Sequence, residues 1–276
     1  MGVGETVRMP YEWMSFTTDY GLSDGFVAAC KGVIARTAPG VRVIDVTHDV
    51  PPQDVRRGAV LLAQVVPYLP AAVHVAVVDP GVGTDRRGIA LLARDGVLVG
   101  PDNGLLTPAA EVLGGIVAAY ELTVPDYWLA HVSATFHGRD IFAPVAANLA
   151  NGLDPGQLGP ELDPATLVRL PEPHRWVEQG RLESDVLVVD RFGNVQLAAT
   201  AGDVHAAGLA LGAQLTVRAG DAVLPATLGT TFGDVAPAEA VVHVDSSDHL
   251  AVAINGGSAA AHLAVVPGTT VVTLES

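Results

Sequence analysis

The chain has 276 residues, 49% of them hydrophobic, which supplies core for one large α/β unit and a smaller second one. With 30 acidic against 15 basic side chains its formal charge is −15, which argues against a phosphate-tracking nucleic-acid surface and a surface for anionic lipid; it favours a cationic small molecule, although a solvated, soluble surface is the plainer reason for the charge. One cysteine, Cys30, leaves no intrachain disulfide or cysteine-based zinc site and fits a reducing compartment.

The opening stretch, MGVGETVRMPYEWMSFTTD, lacks the charged and apolar regions of a signal peptide, so a cytoplasmic chain is expected. A strand is predicted near Trp13 to Thr18 and a helix from about Gly25 to Ala38, where Cys30 aligns with Phe26, Val33 and Ile34 as a small buried hydrophobe. Then come a strand at Val41 to Val46 and a helix from Asp54 with Val55, Ala59, Leu62 and Val66 on one face. Strands follow at Ala72 to Val78, Ile89 to Ala93 and Val97 to Gly100, and a helix at Ile141 to Leu149. Strands that are apolar throughout, alternating with helices, predict a largely parallel sheet with helices on both faces. Two uncharged stretches, Gly58 to Val78 and His249 to Leu274, are interrupted by Pro, Gly, His or Asn and read as buried elements, not membrane spans.

The segment from about Gly159 to Gly180 is rich in Pro and charge, as expected of a domain edge. Residues 1–172 are therefore assigned to an N-terminal α/β catalytic domain and residues 173–276 to a C-terminal β domain. Beyond the edge the segments at Asp185 to Val189, Gln214 to Arg218, Ala240 to Val244, Leu250 to Ile254 and Thr269 to Leu274 are short and β-rich, predicting a smaller all-β, barrel-like unit.

Ligands of open α/β sheets bind beyond the carboxyl ends of the strands. Asp19 and Asp79 follow two predicted strands, so their convergence is expected, although capping or turn chemistry explains either acid taken alone. In DPGVGTDRR a Gly-rich turn separates Asp79 from Arg86 and is able to return the guanidinium to the carboxylate; a surface ion pair is the plainer alternative. His137, in SATFHGRDIFAP, precedes a predicted helix whose dipole disfavours imidazolium and keeps the ring neutral. His48 and His74 read as structural. These residues alone describe an unspecified hydrolase.

Seven segments in order, FTTDYGLSDGFVAACKG, VIDVTHDVPPQDVRRGA, VVDPGVGTDRR, GPDNGLLT, TFHGRDIFAP, DRFGNVQ and AINGGSAA, resemble the S-adenosylmethionine hydroxide adenosyltransferases, relatives of fluorinase and chlorinase. The resemblance implies an N-terminal α/β domain, a C-terminal barrel-like domain and a homotrimer with sites between subunits. It implies Asp79, Arg86 and His137 as the triad that positions and deprotonates water, Asp19 as the holder of the ribose hydroxyls, and Asp24 and Asp190 near the methionine ammonium. Phe192 and Phe232 would flank the ligand, Asn194 would bond the adenine edge, and Ser246 would meet the methionine end. Ser247 stands where halogenating relatives carry arginine, Gly138 where they carry a serine, Gln53 where they carry tryptophan, and Asp79 where they carry an uncharged residue.

The implied activity is hydrolysis of S-adenosylmethionine to adenosine and methionine by water attacking the ribose 5′-carbon, with no metal and no cofactor. Alternatives are halide-dependent adenosyl transfer, a binding protein without turnover, and a methyltransferase. Their products differ: a halogenated adenosine, none, or S-adenosylhomocysteine.

Overall fold

The computed structural model describes residues 11–276, and the absence of a leader read from the first residues lies outside them. The chain divides between Leu170 and Pro171 into two compact units. Among the described residues no helix is long and apolar enough to cross a membrane.

In the first unit the strands are β1 (Trp13–Thr18), β2 (Arg42–Thr47), β3 (Val73–Val77), β4 (Gly88–Ala93), β5 (Gly96–Pro101), β6 (Ile116–Glu121) and β7 (Glu161–Leu162). They form one sheet in the order β2-β1-β3-β5-β4-β6-β7. β2, β1, β3 and β5 run parallel, whereas β4, β6 and β7 join antiparallel. The antiparallel half was not separable in the sequence, because a strand buried on both faces is apolar throughout whichever way its neighbours run.

Four helices cover this sheet: α1 (Phe26–Thr37), α2 (Val55–Val65), α3 (Thr107–Val112) and α4 (Ala143–Ala150). Period-two alternation along β3 divides the core in two. Val73, Val75 and Val77 pack with Cys30, Val33 and Ile34 of α1 and Val145 and Leu149 of α4. Ala76 and Val78 pack with Ala59 and Leu62 of α2 and Ala109 of α3 on the other face. The α2 stripe is thus the one its spacing predicts, and Asp54 caps that helix by accepting the Arg57 backbone N–H at 2.9 Å. Cys30 is fully buried, and burial pushes its thiol up to about 12, so it packs as an inert hydrophobe.

The second unit contains β8 (Arg175–Glu178), β9 (Arg181–Val189), β10 (Val195–Thr200), β11 (Gln214–Ala219), β12 (Ala222–Leu228), β13 (Ala240–Val244), β14 (His249–Ile254) and β15 (Val271–Glu275), with short helices α5 (Ala201–Ala206) and α6 (Ala259–Leu263). Because β10 pairs with both β14 and β9, seven strands close into a barrel and β8 is appended outside. Alternate residues such as Leu215, Val217, Leu224, Ala226, Val242 and Val252 fill the interior, so the barrel is a packed core and ligands are left to its loops. The stretch read as a domain edge also carries β7 and β8; residues rich in Pro and charge edge a sheet without the alternating pattern of a central strand.

His74 is buried within β3, where its Nδ1 shares a 2.8 Å hydrogen bond with the Ser15 hydroxyl. Burial pushes its pKa down to about 4. The unfolded chain therefore binds a proton at this residue that the folded chain refuses, and the stability contributed is complete above ~6.5 and is lost as pH falls towards 4. Melting temperatures followed across that interval should fall less steeply for His74→Gln than for the natural chain; parallel curves would count against this assignment.

Candidate functional site

β1 and β3 are adjacent and parallel, so the loops leaving their carboxyl ends open on the same edge of the sheet. Asp19 directly follows β1 and Asp79 lies two residues beyond β3. Both line a cavity of 360 Å³ together with Tyr20, Phe26, Gln53, Thr135, His137 and Gly138, within the size range of small-molecule sites.

The Gly-rich turn after β3 returns Arg86 to Asp79. Gly83 has φ +77, and a Cβ there would lie 2.3 Å from the Ala134 carbonyl oxygen, so both handedness and close packing require glycine. Arg86 Nε donates to Asp79 Oδ1 at 2.9 Å and Oδ2 at 3.1 Å, and its Nη2 also pairs with Oδ2. The pair is largely buried, so it is not the surface ion pair that was the plainer alternative in the sequence. The Arg86 guanidinium rests over the Phe142 ring, 5.1 Å from its centroid.

Arg86 Nη2 also contacts His137 Nδ1 at 3.0 Å. A guanidinium only donates, so Nδ1 accepts, and the neutral ring carries its proton on Nε2. His137 precedes a π-helical turn, Gly138–Phe142, that runs into α4. Its pKa is lowered, first by burial and then by the Arg86 charge, with Asp79 and Asp140 opposing. The ring is therefore neutral for reasons beyond the helix terminus suggested by the sequence.

Asp19 Oδ2 accepts the backbone N–H of Gln53 at 2.8 Å, and Gln53 is held at φ +67, a left-handed conformation costly for a residue with a side chain. Two residues not singled out in the sequence as site residues complete this wall. Tyr20 and Phe26 each meet Phe136 edge-on and tilt against one another, and a Cβ on Gly138 would lie only 2.1 Å from the Tyr20 hydroxyl. The sequence signal for Tyr20 was its position beside Asp19 in FTTDYG. Asp24 is exposed in the segment before α1 and does not line the cavity.

In the second unit Phe192, Asn194 and Phe232 line a cavity of 530 Å³ with Ile254, Asn255, Gly256 and Gly257. Asp190 organises the turn that carries two of these residues. Its carboxylate accepts the backbone N–H groups of Phe192 at 2.8 Å and Asn194 at 2.9 Å, and the Asn194 Nδ2 amide at 2.7 Å. Asp190 accordingly shapes the β9–β10 turn and leaves the Asn194 Oδ1 as the acceptor available to a ligand. Ser246 is exposed on the β13–β14 turn, outside the residues lining this cavity, and Asp245 Oδ1 accepts the Ser247 backbone N–H at 2.8 Å.

An α/β unit with a polar cavity at the strand ends, followed by a closed β-barrel with an aromatic-lined pocket, defines a two-unit small-molecule protein. Residues 14–159 match the S-adenosylmethionine hydroxide adenosyltransferase N-terminal domain and residues 184–272 the C-terminal domain, so the chain belongs to that family. It is 61% identical to the (R)-S-adenosyl-L-methionine hydrolase of Salinispora tropica, over 94% of this chain and 96% of that one. Its identity to the hydrolase of the same name from Thermus thermophilus is 44%, over 92% and 96%. A crystal structure of an uncharacterized conserved protein from Thermotoga maritima matches with a TM-score of 0.89 and 35% identity, covering 95% of this chain and all of that one.

The Arg86 contact makes a spectroscopic prediction. His137 should titrate below the ordinary histidine value as its Nε2–H tautomer in nitrogen-15 NMR, and Arg86→Gln should move that titration upward by removing the cationic neighbour. An unmoved titration would show that the guanidinium does not set the ring's state.

Proposed function

We propose that the chain hydrolyses S-adenosylmethionine to adenosine and methionine, as the names of its relatives suggest. The observation that carries this reading is the Asp79–Arg86–His137 cluster facing the same cavity as Asp19. Water attacks the ribose 5′-carbon, the carbon-sulfur bond breaks, and its electron pair stays on sulfur as the neutral methionine thioether. The oxygen-carbon bond forms as one water proton leaves, so the sum is sulfonium plus water to adenosine, methionine and a proton.

A sulfonium carries its own good leaving group, and the scheme uses no metal, cofactor or general acid. What it requires is an aligned water and a proton acceptor. Asp79 is the acceptor in this reading, because the His137 Nδ1 lone pair is already engaged by Arg86. Arg86 orients the carboxylate, and His137 presents its Nε2–H. Asp19, fixed by Gln53, holds the ribose hydroxyls. Phe192 and Phe232 enclose the adenine side and Asn194 Oδ1 accepts from its exocyclic amine, while Asp24 and Ser246 serve the methionine end. Asp190 joins Asp24 at the methionine ammonium while its carboxylate also shapes the turn.

The working form in this proposal is a homotrimer in which the N-terminal residues of one subunit and the C-terminal residues of its neighbour share each site. Large apolar rings left open on each unit support it: Phe26 is 46% exposed and Phe192 72%.

Oxygen-18 from solvent should appear in the 5′-hydroxyl of the adenosine formed, read by mass spectrometry; turnover that leaves adenosine unlabelled would overturn attack by water at carbon. For the shared site, Asp79→Asn and Asn194→Ala chains, each nearly inactive, should regain activity when co-expressed. No recovery in mixed oligomers verified by native mass spectrometry would place the whole site in one chain.

A further inference from the structure

Tyr20 has no role in the scheme above, yet its ring stands in the wall of the same cavity as Asp19, Asp79 and His137. The ring is held in a tilted contact by Phe26, with centroids 6.1 Å apart, and edge-on by Phe136 at 5.7 Å. Its backbone N–H donates to Thr18 Oγ1 at 3.2 Å, tying the residue to the end of β1. The hydroxyl is thus delivered by a rigid support. It fills the space a side chain on residue 138 would occupy, since a Cβ built there falls 2.1 Å from the oxygen and 3.1 Å from the ring carbon that bears it.

We propose that Tyr20 is a water-positioning residue of this site, its phenol oxygen accepting the hydrogen of the attacking water that remains in the product hydroxyl. This rests on the hydrolytic reading above. Three observations support it. The hydroxyl finds no hydrogen-bond partner among the described residues, so its pairing comes from what occupies the cavity. Its place is on the nucleophile side: Gly138 adjoins His137, which bonds Arg86, which holds Asp79, whereas the ribose carboxylate Asp19 is oriented separately by Gln53. Finally, burial and the nearby carboxylates Asp19 and Asp79 push the phenol pKa upward, so Tyr20 remains a neutral hydroxyl through the working range.

The chemistry is balanced with two acceptors. Asp79 takes one water proton as the oxygen-carbon bond forms, and Tyr20 holds the other O–H in line without removing it. The lone pair is then aimed at the 5′-carbon, opposite the breaking carbon-sulfur bond. The same hydroxyl makes residue 138 intolerant of any side chain, so one group both orients water and limits the volume offered to other nucleophiles.

The experiment compares the natural chain with Tyr20→Phe, Gly138→Ala and the double variant. Tyr20→Phe should lower kcat and the single-turnover rate roughly 10-fold or more, the loss expected for one preorganised hydrogen bond to a reacting group. KM, adenosine affinity and Tm should stay near those of the natural chain. Gly138→Ala should lower both activity and Tm, and Tyr20→Phe should restore Tm in the double variant by removing the clashing oxygen. Unchanged kcat in Tyr20→Phe, or an equal loss of adenosine affinity, overturns the role in positioning water. Equal destabilisation by Gly138→Ala in both backgrounds overturns the steric half. A natural chain that releases no adenosine from S-adenosylmethionine overturns the hydrolytic reading first, and is told apart because the failure precedes any variant.

Discussion

A guanidinium removed from water must satisfy its charge and its fixed fork of donors at once, and the arrangement around Arg86 follows from that demand. Asp79 supplies the opposite charge, His137 Nδ1 takes a further donor, and the Phe142 ring covers one face. Each partner is in turn fixed by the same requirement: the carboxylate is oriented by two nitrogens, and the imidazole is confined to one tautomer. Deleting one member of such a buried pair leaves the other uncompensated, at a cost of about 3–5 kcal/mol. Chemistry and local stability are therefore carried by the same contacts. The π-helical turn Gly138–Phe142 serves both, since it sets His137 at its start and Phe142 at its end.

The sheet gives this cluster a second acid without another buried ion pair. Parallel β1 and β3 bring Asp19 and Asp79 to one edge, where Asp19 is held by a backbone N–H rather than by a cation. Holding it in that way requires Gln53 to take a left-handed conformation, strain that the flanking Pro52 and the helix cap at Asp54 keep in place. The two carboxylates thus differ in environment from the outset: one is matched to a fixed positive charge, the other is open to neutral hydroxyls.

Strands and helices with strong periodicity were legible from the residues. β1 has the predicted bounds, the α2 stripe faces the core as its spacing requires, and the barrel strands β11 and β13 lie where alternation placed them. What was not legible depends on tertiary partners. The short helix α3 and strands β6, β10 and β12 carry no distinctive period, and the direction of β4 is decided by its pairing. At the site, the return of Arg86 to Asp79 was readable from the Gly-rich spacing. The Tyr20–Gly138 contact was not, because it joins two loops far apart in sequence. The position of Asp190 in DRFGN was readable, but the turn its oxygens hold together was not, because those bonds run to backbone N–H groups that any residue supplies.

The preference for water over an anion rests on a finer balance than the charge of Asp79. Paired with Arg86, that carboxylate belongs to a near-neutral unit, so its net field repels a halide only weakly. Hydrogen-bond supply decides the matter instead. An anion shedding its hydration shell needs donors, but Arg86 Nε and Nη2 are spent on Asp79 and His137. The surrounding wall does hold donors, the His137 Nε2–H and the Tyr20 hydroxyl, but it also holds the acceptor-only carboxylates of Asp19 and Asp79. Water donates to such a wall and keeps a lone pair for attack, whereas a halide has nothing to donate. The selection is therefore written in the direction of the hydrogen bonds around the cavity, and it rests on the two carboxylates, which only a nucleophile with a hydrogen to give can satisfy.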